Sequence, residues 1–231
     1  MTKFEWVLFD ADDTLLDFDN AGRLAFSAML ATFGISELPA HYQLYKSCNQ
    51  RTWQAYENGE IDAITLRRKR FADFKEQAGL PNLMDPVAMN AAYLENLIQH
   101  TVPLDGALDL LETLKRLRVR MGIITNGLRE VQRPRIRQVG MENFFQVVLV
   151  SDEIGLAKPD TRFFARAHAE MGLPEKEKVL VVGDSYASDI AGAKNFAFPS
   201  CWFNPKALQP PADAQPDFDI RSLKEVLKIV S

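Results

Sequence analysis

Short apolar runs punctuate the chain at FEWVLFD (4–10), VRMGIIT (119–125), FQVVLVS (145–151), KVLVVGD (178–184) and FPSCWF (198–203). Each is rich in β-branched or aromatic residues, too short for a typical helix, and nearly continuous rather than alternating. That pattern predicts strands covered on both faces, as in a parallel sheet. Between the later runs the residue pattern predicts helices over 106–118, 129–140, 160–172 and 186–196. Strand and helix in alternation predict an open α/β sheet with right-handed crossovers.

The first crossover breaks the rhythm. More than a hundred residues separate the first two strands, and most carry helical spacing, near 19–33, 40–58, 62–79 and 86–99. Phe26, Leu30 and Phe33, or Leu66, Phe71, Phe74 and Ala78, recur every three to five positions. Breaks fall at Gly34, Pro39, Asn58-Gly59, Gly79-Pro81 and Pro103. Residues 17–100 therefore read as an inserted helical bundle, and residues 1–16 with 101–231 as the α/β core. Beyond a Pro-rich loop over 204–216, FDI and RSLKEVLKIV predict a last short strand and a closing helix.

Composition changes this picture little. In 231 residues, 47% are hydrophobic and 25% charged, enough for a substantial core. A net charge of −4 gives no global attraction for nucleic acid or an anionic membrane. No run reaches the roughly 20 apolar residues that span a bilayer, and the N-terminus has no signal-peptide pattern. Cys48 and Cys201 lie far apart without metal-ligand spacing and read as packed, reduced thiols. These features predict a cytoplasmic protein without nucleic-acid or membrane partners.

The chemistry concentrates at FDADDTLLDFDN (9–20), which gathers Asp10, Asp12, Asp13, Asp17 and Asp19 behind the first strand. Two carboxylates about 4 Å apart repel by roughly 4 kcal/mol at an effective dielectric near 20, so a cation should relieve them. A calcium loop does not fit, because the sixth position from Asp10 is Leu15 and the twelfth is Ala21. Taken alone, the stretch reads equally well as a solvated acidic turn. Thr125 and Asn126 read alone as a helix cap, Lys158 as a solvated loop lysine, and Asp184 and Asp189 as helix-start acids. Their order is the signal. Successive strand tips deliver Asp/Asp, Thr/Asn, Lys and Asp/Asp to one edge of one sheet, where open α/β folds bind ligands.

In that order, FDADDT, IITN, AKPD and GDSYASD resemble the four motifs of the haloacid dehalogenase-like hydrolases. Within that superfamily the wording, with GIITNG and CWFNP, is most similar to the pyrimidine 5′-nucleotidases. The resemblance implies a Rossmann-like core with strand order 5-4-1-2-3 and a helical cap after the first motif. It implies Asp10 as nucleophile, Asp12 as general acid and base, and Mg²⁺ held by Asp10, the Asp12 carbonyl and Asp184. Lys158, Thr125, Asn126 and Gly127 would hold phosphate, and Asp189 would orient Lys158 or a metal-bound water. An acid at position 12 favours phosphomonoester hydrolysis over dehalogenation, since a halide needs no proton donor. Substrate classes that follow are pyrimidine nucleoside monophosphates, or alternatively a sugar phosphate or phosphoglycolate. A non-catalytic binding protein would have lost one of these side chains, and none is lost.

Two departures stand out: Ala197 where the family often has Gly, and Pro134 in the helix after IITNG, which predicts a kink or a late start. Asp13, Asp17 and Asp19 read as solvated residues, and RRKR (67–70) as a solvated helix face. Trp53 and Tyr56 read as core packing. His41, His100 and His168 sit among polar neighbours and suggest no site. The core recognises phosphate and metal, so selectivity is expected from the aromatic-rich insertion, around Phe18, Phe26, Phe33, Trp53 and Tyr56.

Overall fold

A computed structural model describes residues 2–80, 84–211 and 215–231. The predicted break at Pro81, and positions 212–214 of the Pro-rich loop, lie outside the described residues. The chain folds into two compact units, Met1–Asp17 with Val102–Ser231, and Phe18–Thr101.

The first unit holds a six-stranded parallel sheet. Its strands are β1 (Trp6–Phe9), β2 (Arg120–Thr125), β3 (Val147–Val150), β4 (Val179–Gly183), β5 (Ser200–Phe203) and β6 (Phe218–Ile220). The order β3-β2-β1-β4-β5-β6 is the 5-4-1-2-3 arrangement extended at one edge by FDI. Alternation along β1 explains the unbroken hydrophobic run. Val7 and Phe9 enter one buried cluster with Leu110, Leu111 and Leu114, while Trp6 and Leu8 enter another with Phe163, Phe164 and Ala167. Both faces are covered, so a polar side chain would find no water on either.

The second unit is the four-helix insertion, α1 (Phe18–Thr32), α2 (His41–Glu57), α3 (Ala63–Gln77) and α4 (Pro86–Gln99). Asp62 caps α3 by accepting from the Thr65 amide at 2.7 Å, and Asp85 caps α4 ahead of Pro86. Its core is aromatic. Tyr45 stacks on Phe26 and Phe71 with ring centroids 4.9 and 5.1 Å apart, and Phe74 and Tyr93 close around them.

Several expectations are corrected here. Trp53 and Tyr56 are only half-buried and lie edge-on to each other, outside that core. RRKR is no uniform solvated face: Arg70 is buried, its guanidinium bonded to Asn90 at 2.6 Å and Asn49 at 3.1 Å. His41 is buried against Phe74, and His168 packs on Phe196 and Phe198. Asp19 is exposed but bonds Lys46 at 2.6 Å, and Asp13 and Asp17 are half-buried.

The remaining elements are α5 (Ala107–Arg116), α6 (Arg129–Gln138), α7 (Ser151–Ile154), α8 (Thr161–Glu170), α9 (Ala191–Asn195) and α10 (Val226–Val230). Helix α6 begins at Arg129, well before Pro134, so the proline does not delay it. The predicted helix 186–196 splits into a π-helical turn, Tyr186–Ile190, and the short α9. After α9, Ala197 adopts φ 64°, a left-handed conformation costing a non-glycine residue about 1 kcal/mol. The chain therefore tolerates Ala there at a modest local cost.

Two opposed effects meet at Gly192 in α9. Helix propensity alone makes Gly→Ala stabilising by about 1 kcal/mol. Yet a Cβ there would meet the buried Phe164 ring at 2.5 Å and the Pro159 Cα at 3.1 Å. Overpacking of about 1–3 kcal/mol therefore outweighs propensity. Gly192→Ala should lower Tm by a few degrees, about 2–4 °C per kcal/mol at this size. A raised Tm in thermal denaturation would show that α8 and α9 have slack.

Candidate active site

Asp10 lies directly beyond β1, where the chain leaves the sheet, and its amide donates to the Val182 carbonyl at 2.9 Å. Its side chain is 10% exposed. Lys158, on the loop between α7 and α8, reaches it with Nζ 2.6 Å from Asp10 Oδ1. The same ammonium donates to Asp189 Oδ1 at 2.6 Å and to the Ile124 carbonyl at 2.7 Å. All three of its donors are used, so a fully buried lysine is satisfied. Asn126 grips the lysine's backbone from both sides, its amide group donating to the Lys158 carbonyl and accepting from the Lys158 N–H, each at 2.8 Å.

Asp184 follows β4. Its amide donates to Thr14 Oγ1 at 3.0 Å, and its carbonyl accepts from Trp202 Nε1 at 2.8 Å. Asp189 sits in the π-helical turn, fully buried, with Oδ2 accepting from the Ser185 amide at 3.1 Å. Gly183 makes this possible, since a Cβ at that position would run into the Asp189 carboxylate. Ligand oxygens of Asp10, Asp184 and Asp189 lie within 4.8 Å of one another.

Asp12 goes elsewhere. Its carboxylate oxygens accept from Arg135 Nη1 at 2.5 Å and Gln132 Nε2 at 2.8 Å, and Gln132 also donates to Thr125 Oγ1 at 2.8 Å. On the side of Gly127 where a Cβ would stand, the space is filled from the protein, because that Cβ would overlap the Gln132 side chain. Strand ends thus bring Asp10, Lys158, Asp184 and Asp189 into one cluster. Asp12, Thr125 and Gly127 meet in a second one around Gln132, and Asn126 anchors the Lys158 backbone. Sequence reasoning does not single out Gln132, Arg135 or Thr14. The available signal is that Gln132 and Arg135 stand three apart on one face of the helix following IITNG.

One ammonium against three carboxylates leaves the first cluster with excess negative charge. Burial pushes the Asp10 carboxyl well above the usual carboxylate range; Lys158 opposes this, and Asp189, Asp184 and Asp12 add to it. Burial works to lower the Lys158 pKa, but Asp10 and Asp189 outweigh it and hold the ammonium charged. Asp184 is pushed up to about 7, by burial and then by Asp189 and Asp13. Asp13 is therefore no bystander to the site. Hard carboxylate oxygens with unmet negative charge suit a small divalent cation such as Mg²⁺.

The raised Asp184 value fixes a stability trend. Its folded pKa lies above the ordinary aspartate value of 3.8. The proton-linked stabilisation is therefore full below about pH 4, is lost as pH rises towards 7, and stays lost above it. In chelator, Asp184→Asn should match or exceed wild type in Tm, with a gap that widens from pH 4 to 7 by several degrees and then levels. A gap independent of pH would contradict the electrostatic account.

Comparison with known proteins identifies the family. The family model described as haloacid dehalogenase-like hydrolase matches residues 4–197. Pyrimidine 5′-nucleotidase YjjG of Escherichia coli is 32% identical, over 99% of this chain and 98% of its own. Pyrimidine 5′-nucleotidase PynA of Streptococcus pneumoniae is 31% identical, over 97% and 94%. The magnesium-bound crystal structure of the HAD-hydrolase YfnB from Bacillus subtilis superposes with TM-score 0.90 at 30% identity, covering 98% of each chain. The chain belongs to the haloacid dehalogenase-like hydrolases.

Proposed function

We propose that this chain is a cytoplasmic, Mg²⁺-dependent 5′-nucleotidase that dephosphorylates (deoxy)pyrimidine nucleoside monophosphates through an aspartyl-phosphate. The observation that carries the reading is Asp10, buried at the tip of β1 with Lys158 Nζ 2.6 Å from one oxygen and a second acid two residues on.

In the first half-reaction an Asp10 oxygen attacks phosphorus, and the bond from phosphorus to the ester oxygen breaks with its electron pair. The Asp12 carboxyl passes its proton to that oxygen, and the nucleoside leaves as an alcohol. In the second, a water oxygen attacks phosphorus, its proton goes to the Asp12 carboxylate, and the acyl-phosphate bond returns its electrons to Asp10. Lys158 offsets charge on Asp10 and on the phosphoryl oxygens, and Asp189 holds that ammonium in line. Thr125 and the backbone at Asn126 and Gly127 lie at the adjoining strand end and are assigned to the phosphoryl group. Asp10, Asp184 and the Asp12 carbonyl would hold Mg²⁺, which supplies charge neutralisation when bound.

No helix among the described residues is long and apolar enough to cross a membrane, and the substrate assigned is a small phosphomonoester. Two relatives matching nearly the whole chain carry pyrimidine 5′-nucleotidase in their names, which supports the substrate class.

Phosphate release from UMP, dTMP, AMP, GMP, phosphoglycolate and glucose 6-phosphate tests the proposal. We expect higher kcat/KM for the pyrimidine monophosphates, complete loss in EDTA, recovery with Mg²⁺ and poor substitution by Ca²⁺. Preference for glucose 6-phosphate or phosphoglycolate would move the substrate to that class, and full activity in excess chelator would remove the metal. Asp10→Asn should cut turnover by at least about 10³-fold with the circular-dichroism spectrum unchanged. Near wild-type turnover in that variant would rule out the covalent route.

A further inference from the structure

Two polar side chains of α6 that have no part in the scheme above converge on its acid. Gln132 and Arg135 are each 1% exposed. Arg135 Nη1 lies 2.5 Å from Asp12 Oδ1 and 2.9 Å from Gln132 Oε1. Gln132 Nε2 lies 2.8 Å from Asp12 Oδ2 and 2.8 Å from Thr125 Oγ1. The result is a closed polar ring of Asp12, Arg135 and Gln132, from which Gln132 also reaches Thr125.

We propose that Gln132 and Arg135 are positioning residues that fix the acid–base carboxylate of Asp12 and tie it to Thr125 at the end of β2. The inference rests on the reading of Asp12 as acid and base. Three features support it beyond the distances. A buried guanidinium is unfavourable unless its partners are well placed, so an apolar residue would serve a packing role better. Both Asp12 oxygens accept from a different residue, which defines the rotation of the carboxylate as well as its position. The Asp12 side chain nevertheless remains 26% exposed, so it is held without being sealed in.

The backbone makes room for this arrangement at Gly127. A Cβ at that position would overlap Cγ, Cδ and Nε2 of Gln132, so the glycine of IITNG reserves the volume that Gln132 fills. Each Asp12 oxygen keeps a second lone pair beyond the bond it accepts. The transferable proton occupies one of these, leaves for the ester oxygen as the bond to phosphorus breaks, and is replaced from the attacking water. Gln132 and Arg135 neither touch the reacting atoms nor change their count; they set where that lone pair points.

The test uses the leaving group. An alkyl ester such as UMP needs its departing oxygen protonated, whereas p-nitrophenyl phosphate releases a stabilised phenolate that does not. The parameter is kcat/KM, which stops at the first irreversible step and so excludes hydrolysis of the aspartyl-phosphate. Gln132→Met and Arg135→Met should each lower kcat/KM for UMP by about 100-fold, the scale of a misplaced catalytic group. For p-nitrophenyl phosphate the loss should stay within about 5-fold, because little acid catalysis is at stake. Arg135→Lys, which keeps the charge but not the planar guanidinium, should recover part of the UMP rate relative to Arg135→Met. Circular dichroism and Tm identify variants that fail to fold; should Arg135→Met be one, Gln132→Met decides. Equal losses on both esters, or no loss on UMP, would overturn the positioning role while leaving an active wild type and the phosphatase reading intact. A wild type inactive on both esters would overturn the reading itself.

Discussion

The site is organised by one buried ammonium. Lys158 is 1% exposed, and a cation so placed is stable only if every N–H meets an acceptor and nearby anions offset its lost hydration. Each requirement recruits a different part of the chain. The Ile124 carbonyl comes from β2, Asp10 from the tip of β1, and Asp189 from the turn after β4. Asp189 reaches the lysine only because residue 183 has no side chain, and the lysine's backbone is gripped by Asn126. Ordinary loop geometry would not place a lysine there, so the strand order and these local choices have to agree.

That agreement explains what is legible in the sequence. The continuous runs around β1, β2, β3 and β4 are legible because both sheet faces are buried, leaving no alternation to mistake for an exposed strand. Asp10, Lys158 and Asp184 are legible because parallel strands put all their carboxyl ends on one edge, so order along the chain translates into proximity. The segment after Asp184 is less legible. Its spacing suits a helix, but Ser185 donates its amide to Asp189 and accepts the Ser188 amide on its side chain, and the first turn opens into π geometry. The carboxylate's route into the site overrides the local helical preference.

Gln132, Arg135 and Arg70 are hidden for a different reason. In REVQRPRIRQ and RRKR, a long polar side chain has the same local signature whether it points to water or inward. What decides is a partner distant in sequence: Asp12 lies 123 residues from Arg135, and Asn90 lies 20 residues from Arg70. Hydrophobic periodicity reports the energetics of a residue against its own helix, and is blind to such a partner. Pattern reading therefore assigns these residues to solvent, and a strongly polar helix such as α6 conceals two buried polar side chains.

The same pairing logic separates the four acids. Asp10 and Asp189 share Lys158, and Asp12 has Arg135. Asp184 has a threonine hydroxyl at 3.4 Å and no ion-pair partner among the described residues, although Lys158 lowers its pKa from a distance. Its pKa is pushed up to about 7 by burial first and then by Asp189 and Asp13, so the fold disfavours the charged form there. A neutral side chain at position 184 would remove that cost, because a half-buried charge without an ion-pair partner opposes folding. An aspartate there, half-buried beside the carboxylate of Asp189, leaves a set of ligand oxygens that a cation from outside could complete.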